Sequence, residues 1–189
     1  KLRKDVKFTN GQPMTSKDVK FSLEQTSKPA SPFAFINASI SKITTPDDYT
    51  VVIETKKPFA PLPSDMAIFC NSIVPDNYAG MSPDEFAKHP IGTGAFKLKD
   101  WTPGVVATFV RNNNYWQAGK PAMECLEVSG VPDPITRMAA IQSGNADILI
   151  AEDATTLSTL KKDPNVQLFE AKNAMMMNFA MQVDEPPFD

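Results

Sequence analysis

Histidine is almost missing from this chain. The 189 residues hold one, His89, and only two cysteines, Cys70 and Cys125. A Ser-His-Asp triad would have to use that single imidazole, and no G-x-S-x-G nucleophile turn is present. One His and two widely separated Cys carry no metal-ligand spacing, so no metal is expected. A disulfide and a pair of buried thiols are both open readings of the cysteines. There is no long basic block, and the net charge is −3. The electrostatic footprint of a nucleic-acid or anionic-membrane partner is therefore absent. No apolar run approaches the roughly 20 residues that span a bilayer. No leader pattern is read within the sequence, which opens "KLRKDVKF" without Met and inside a strand pattern. It reads as a piece of a longer protein, so location is not read from that end.

Proline is what the chain has in excess. There are 17, against a usual share of about 5%. Because proline fixes φ and interrupts ladders and helices, their spacing predicts many short elements with stiff connections. The pattern at 2–8 predicts a strand, and Asn10-Gly11 a tight turn. Thr15 with Asp18 three residues on makes a capping signal, with Met14 and Val19 at staple positions; a helix is expected over 16–27. Period-2 alternation of Tyr49, Val51 and Ile53 predicts a hairpin turning at Pro46-Asp47-Asp48. A short helix is expected within 60–70, a short strand over 71–75, and a helix capped by Ser82. The acidic pairs Asp47-Asp48, Asp84-Glu85 and Glu152-Asp153 fall at turns or helix starts, where carboxylates favour the N-terminus.

After His89 the pattern changes. In "HPIGTGAFKLKDW" the glycines lead into a strand, where a phosphate cradle needs them to lead into a helix. Two strands joined at Thr102-Pro103-Gly104 follow, then a third in "MECLEVSGV". Asp133 caps a helix that Gly144 ends. A buried strand is expected in "ADILI", a helix before Pro164, and one or two strands over 165–183. Alternating strands and helices predict an α/β layered domain after residue 90, preceded by a more α+β region. Three apolar stretches, "SPFAFIN", "MAIFCN" and "AMMMN", read first as core plugs and second as the lining of an adaptable apolar pocket.

The phrases "LRKDVKFTNGQPMTSKDVKFSLE", "HPIGTGAFKLKDWTPG", "VRNNNYW", "VPDPITRMAAIQSGNADI" and "EPPFD" occur in that order along the whole chain. In this the chain resembles the family 5 extracellular solute-binding proteins, the oligopeptide-, dipeptide- and nickel-binding receptors of ABC importers. The resemblance implies a type II periplasmic-binding-protein-like fold of which this chain is most of lobe I. Residues 1–90 would be its peripheral α+β subdomain. Residues 91–189 would be part of the main α/β subdomain, with Gly92 and Gly94 giving backbone freedom at the corner and "EPPFD" near the hinge to a second lobe. It further implies no catalysis and no cofactor. The partners would be a peptide or similar small solute and the membrane subunits of an importer, with the parent protein periplasmic or lipid-anchored. The solute-facing positions would be Phe33, Phe35, Ile68, Phe69, Cys70, Asn71, Met175, Met176 and Met177. None is charged, so counter-charges for a charged solute would come from the second lobe. A ligand-sensing lobe of a transcriptional regulator and, more remotely, a hydrolase are the competing readings. Sheet edges left open in such a piece are expected to invite dimerisation.

Overall fold

A computed structural model describes residues 1–151 and 153–169. It divides into two compact units, one of residues 1–130 and one beginning at Val131.

The first unit begins with a tight loop. Val6 and Phe8 point inward and, with Met14, form a buried cluster flanked by Leu2, Ile73, Ile91 and Trp116. The predicted alternation is therefore present, but the predicted strand is not. Pairing is confined to one bridge between Lys7 and Pro13, because the turn closes at once: Gly11 N–H donates to the Phe8 carbonyl and Phe8 N–H to that of Gln12, both at 2.8 Å.

Helix α1 runs Ser16–Thr26. The Asp18 carboxylate accepts from the Thr15 N–H at 2.6 Å and from the Thr15 hydroxyl at 2.9 Å, tying down the first turn. Met14 and Val19 are both buried. The inward face of α1 also carries polar groups at four-residue spacing, which places them in one column. Asp18 accepts from the Asp76 N–H at 2.8 Å. The Ser22 hydroxyl takes the Val74 N–H at 2.9 Å. The Thr26 hydroxyl donates to the Cys70 carbonyl at 2.8 Å. This column helps explain why 71–75 is not the strand that its composition predicts. The Val74 N–H is satisfied by a helix side chain, and the N–H groups of Asn71 and Ser72 by carbonyls three residues back, without a neighbouring strand.

Strands β1 (Ile40–Asp47) and β2 (Thr50–Thr55) form an antiparallel hairpin. The turn is Asp48-Tyr49, with Pro46 inside β1, two residues later than expected. Asp47 selects it by accepting from the Tyr49 N–H at 2.9 Å and the Thr50 hydroxyl at 2.6 Å. Helix α2 (Leu62–Met66) and a 3₁₀ turn at Phe69–Asn71 follow.

Next comes a left-handed turn. Asn77, Tyr78 and Ala79 have φ of 49°, 52° and 56°, and Gly80 has 84°. Each non-glycine residue costs roughly 1–2 kcal/mol in that region. Aromatic packing opposes the cost: the Tyr78 ring stands edge-on to Phe21 and tilted on Phe86, with centroids 5.0 Å away in both cases. Helix α3 (Pro83–Lys88) starts at a Ser82–Glu85 capping box.

Strands β3 (Phe96–Thr102), β4 (Val106–Arg111) and β5 (Cys125–Ser129) make an antiparallel meander. Its register aligns Leu98, Phe109 and Leu126, and likewise Trp101, Ala107 and Val128. One face is thus apolar, and Trp101 and Val128 on it are exposed.

In the second unit, α4 (Pro134–Gln142) and α5 (Ala154–Leu160) are capped by Asp133 and Asp153. Gly144, at φ 74°, follows the end of α4. The expected strand in "ADILI" is absent: Ile148 and Ile150 are 81% and 77% exposed, and a strand needs a paired neighbour to form. Residues 166–169 have no regular structure. The remainder of the expected strand region at 165–183, and "EPPFD", lie outside the described residues.

Candidate ligand-facing ledge

Between α1 and β1 the chain coils through successive tight turns. Ala34, Ile36, Ala38 and Ile40 each donate to the carbonyl three residues back, at 3.0 to 3.3 Å. The coil leaves Phe33 half-buried, Phe35 exposed (70%) and Asn37 buried (3%). The second strip is the 3₁₀ turn after α2. Ile68 and Cys70 are half-buried, Phe69 is 73% exposed, and Asn71 is buried to 4%.

The structure brings the two strips together. Phe33 and Phe69 meet edge-to-face, centroids 5.2 Å apart and planes at 85°, the geometry that a ring quadrupole favours. Beneath them, Asn37 Nδ2 donates to Asn71 Oδ1 at 2.9 Å, and Asn71 Nδ2 donates to Asn37 Oδ1 at 3.0 Å. Asn71 Nδ2 also reaches the Asp65 carbonyl at 2.9 Å. The Thr26 bond to the Cys70 carbonyl holds the strip to α1.

The result is an apolar ledge: Phe35 and Phe69 project, Phe33 supports Phe69, and no formal charge belongs to either strip. Such a surface can cover apolar or neutral parts of a ligand; it presents no nucleophile with an adjacent base. Met175, Met176 and Met177 lie outside the described residues. Asn37 was not anticipated, although its spacing from Phe33 and Phe35 was readable.

Of the other chemistry-bearing residues, only Cys70 lies on these strips. Cys70 and Cys125 are both free, and Cys125 is exposed on β5, so neither a disulfide nor a pair of buried thiols describes them. His89 follows α3 and lines an open groove of about 500 Å³ with Lys88, Lys99 and Trp101. Its neighbour Glu85 is held below the usual carboxylate range, first by the Ser82 N–H and then by the Ser82 hydroxyl, with His89 a lesser influence. That carboxylate caps a helix. Among the described residues no group of three or more His, Cys, Asp or Glu is placed to hold a metal ion, and no helix is long and apolar enough to cross a membrane.

At the glycine corner, neither Gly92 nor Gly94 has a positive φ, and a Cβ would fit at both. Backbone freedom is thus not their role, contrary to expectation. The corner is held through its carbonyls. Gly92 accepts from the Thr9 N–H at 2.8 Å, and Gly94 from the amide of buried Asn112 at 2.7 Å. The "NNNYW" phrase thus anchors the corner with its first Asn and contributes Trp116 to the shell of the Val6–Phe8–Met14 core.

Comparison with known proteins bears on the family and the fold. The chain is 30% identical over its whole length to the glutathione-binding protein GsiB of Shigella boydii, of which it spans 37%. It superposes with a TM-score of 0.82 on MoaA of A. tumefaciens R10, solved with mannopinic acid, at 27% identity, covering all of this chain and 39% of that one. The periplasmic binding protein DppA of Helicobacter pylori, solved with the peptide STSA, gives 0.74 at 27% identity over 86% of this chain and 36% of its own. The fold class is α/β, of the type II periplasmic-binding-protein kind. The model for "Bacterial extracellular solute-binding proteins, family 5 Middle" matches residues 1–189, and the chain belongs to that family.

Proposed function

We propose that this chain forms one wall of an extracytoplasmic receptor, periplasmic or lipid-anchored, that captures peptides or similar small solutes. The receptor delivers them to the membrane subunits of an ABC importer and performs no catalysis. The observation that carries the reading is the aromatic ledge: Phe33 and Phe69 packed edge-to-face with Phe69 and Phe35 open to solvent. Exposed aromatic rings on a rigid support are efficient contact groups for partly apolar solutes. Family membership supports it, as do relatives named for binding glutathione and solved with a peptide. In this reading Ile68, Cys70 and Asn71 belong to the same wall, and Met175–Met177 extend it with adaptable thioether side chains. The division at residue 90 into a peripheral and a main subdomain is part of the proposal. Two separate sheets, β1–β2 before the Gly92 corner and β3–β4–β5 after it, speak for it, while both lie within the one compact unit of residues 1–130.

The uncharged ledge favours neutral or partly apolar solutes over a bare ion, since an unpaired buried charge is costly. The test is calorimetry on the intact receptor with a defined peptide mixture. Phe33→Ala and Phe69→Ala should each weaken binding by about tenfold or more. Unchanged affinity in both variants would reject the ledge as the solute-facing wall. The isolated chain should bind far more weakly than the intact receptor.

A further inference from the structure

A buried amide pair joins the two strips that carry the projecting rings. Asn37 lies two residues after Phe35, and Asn71 two residues after Phe69. Their side chains exchange two hydrogen bonds, at 2.9 and 3.0 Å, while almost completely buried. Among the described residues no backbone hydrogen bond joins 31–39 to 65–72. The amide pair and the Phe33–Phe69 contact are the specific links between the two strips. A reciprocal amide pair fixes translation along the strips and rotation of one against the other, because donor and acceptor lie in one plane on each side. The second Nδ2 hydrogen of Asn71, bonded to the Asp65 carbonyl, settles which way that amide faces.

We propose that Asn37 is a positioning residue for solute recognition: through Asn71 it sets the edge-to-face step of Phe33 and Phe69 on which the solute rests. The proposal builds on the ledge reading above. Other side chains fail at position 37 for definite reasons. Leucine fills the space but leaves Asn71 Oδ1 buried without a donor. A carboxylate sets two acceptors against Asn71 Oδ1, with no donor of its own. Serine is too short to exchange both bonds.

The experiment uses the intact polypeptide that contains this chain, with 4-fluorophenylalanine placed at Phe69 and the peptides Ala-Phe-Ala and trialanine as probes. The ¹⁹F shift of the ligand-free protein reports the ring current of Phe33, which general loss of stability would not move while the protein stays folded. Asn37→Leu should carry the ¹⁹F resonance toward the solvent-exposed value and weaken Ala-Phe-Ala binding about tenfold, at a temperature well below the variant's melting point. Phe69→Ala, without the label, is the reference for the ledge itself. If Phe69→Ala weakens binding while Asn37→Leu changes neither the resonance nor the affinity, the ledge stands and the positioning role is overturned. If Phe69→Ala leaves binding unchanged, the ledge fails and the proposal falls with it. Should Asn37→Leu not fold, Asn37→Ser is read in the same two assays by the same criteria.

Discussion

Ser22 reaches Val74 across 52 residues of sequence: the Val74 N–H donates to the Ser22 hydroxyl at 2.9 Å, and the single hydrogen of that hydroxyl has the Asp18 carbonyl at 2.8 Å and the Val74 carbonyl at 3.2 Å as acceptors. One side chain thus does for Val74 what a neighbouring strand would do. Ser22→Ala leaves the Val74 N–H without this acceptor and should destabilise the protein by about 1–3 kcal/mol. Thr26→Val, which removes a hydroxyl donor to the Cys70 carbonyl and, at longer range, the Ser22 carbonyl, but leaves no N–H unpaired, should cost less. Urea denaturation of both variants checks the order, and equal small effects would show that water replaces the column.

The left-handed turn predicts a gain. Ala79 sits at φ 56° with a Cβ that this region penalises. Ala79→Gly should stabilise the protein by about 1 kcal/mol, the relief of strain exceeding the added freedom of the unfolded chain. Tyr78→Ala should do the opposite, by about 3 kcal/mol, because it removes the ring between Phe21 and Phe86. Thermal melts of the two variants should shift in opposite directions.

Much of this architecture was legible because its signals are local. Thr15 with Asp18, Ser82 with Glu85, and Asp133 mark helix starts within four residues. The β1–β2 and β3–β4 hairpins follow from alternation and from Thr102-Pro103-Gly104. Failures occurred where the deciding partner is distant or missing. Residues 71–75 have strand composition, but Val74 within them is held by Ser22, on a helix face 52 positions away. Ile148 and Ile150 look like a buried strand, yet stand exposed. Within the ledge, the phenylalanines were legible through family resemblance. Asn37 was not, because an asparagine in a loop reads as a turn residue and its partner Asn71 is 34 positions on.

Acid should loosen the second unit's helices. The Asp133 carboxyl is held below its ordinary value first by the Thr136 hydroxyl and then by the Thr136 N–H. Asp153 is held down by the Thr156 N–H and then its hydroxyl. A lowered folded-state value means that the contribution is complete above the unfolded value of about 3.9 and is lost as pH falls through the lower folded one. Helical circular dichroism should therefore decline on acidification in that window. Asp133→Asn with Asp153→Asn, which keeps the cap acceptors but cannot titrate, should remove part of the decline. An unaltered profile in the double variant would assign the acid sensitivity elsewhere.

The sheet makes a prediction about association. Among the described residues β3 and β5 are its outer strands, and Trp101 and Val128 are exposed on its apolar face. The isolated chain should self-associate as its concentration rises. Sedimentation velocity should show a species heavier than the monomer, reduced by Val128→Lys. A single monomer peak at high concentration would contradict this.

The column on α1 also orders events in time. The helix carries its own start signal in Thr15 and Asp18 and can sample its conformation from nearby residues alone. The 70–76 segment has no such autonomy: its hydroxyl and carboxylate partners line up only after the helix has wound and set Asp18, Ser22 and Thr26 one above another. Organisation of the ledge strip at 68–71 must then come after nucleation of the helix at 16–26, and closing the intervening loop is the slow, entropically costly step. Pulse-labelling during refolding would register this hierarchy as early protection of amides in α1 and later protection at Val74 and Asp76.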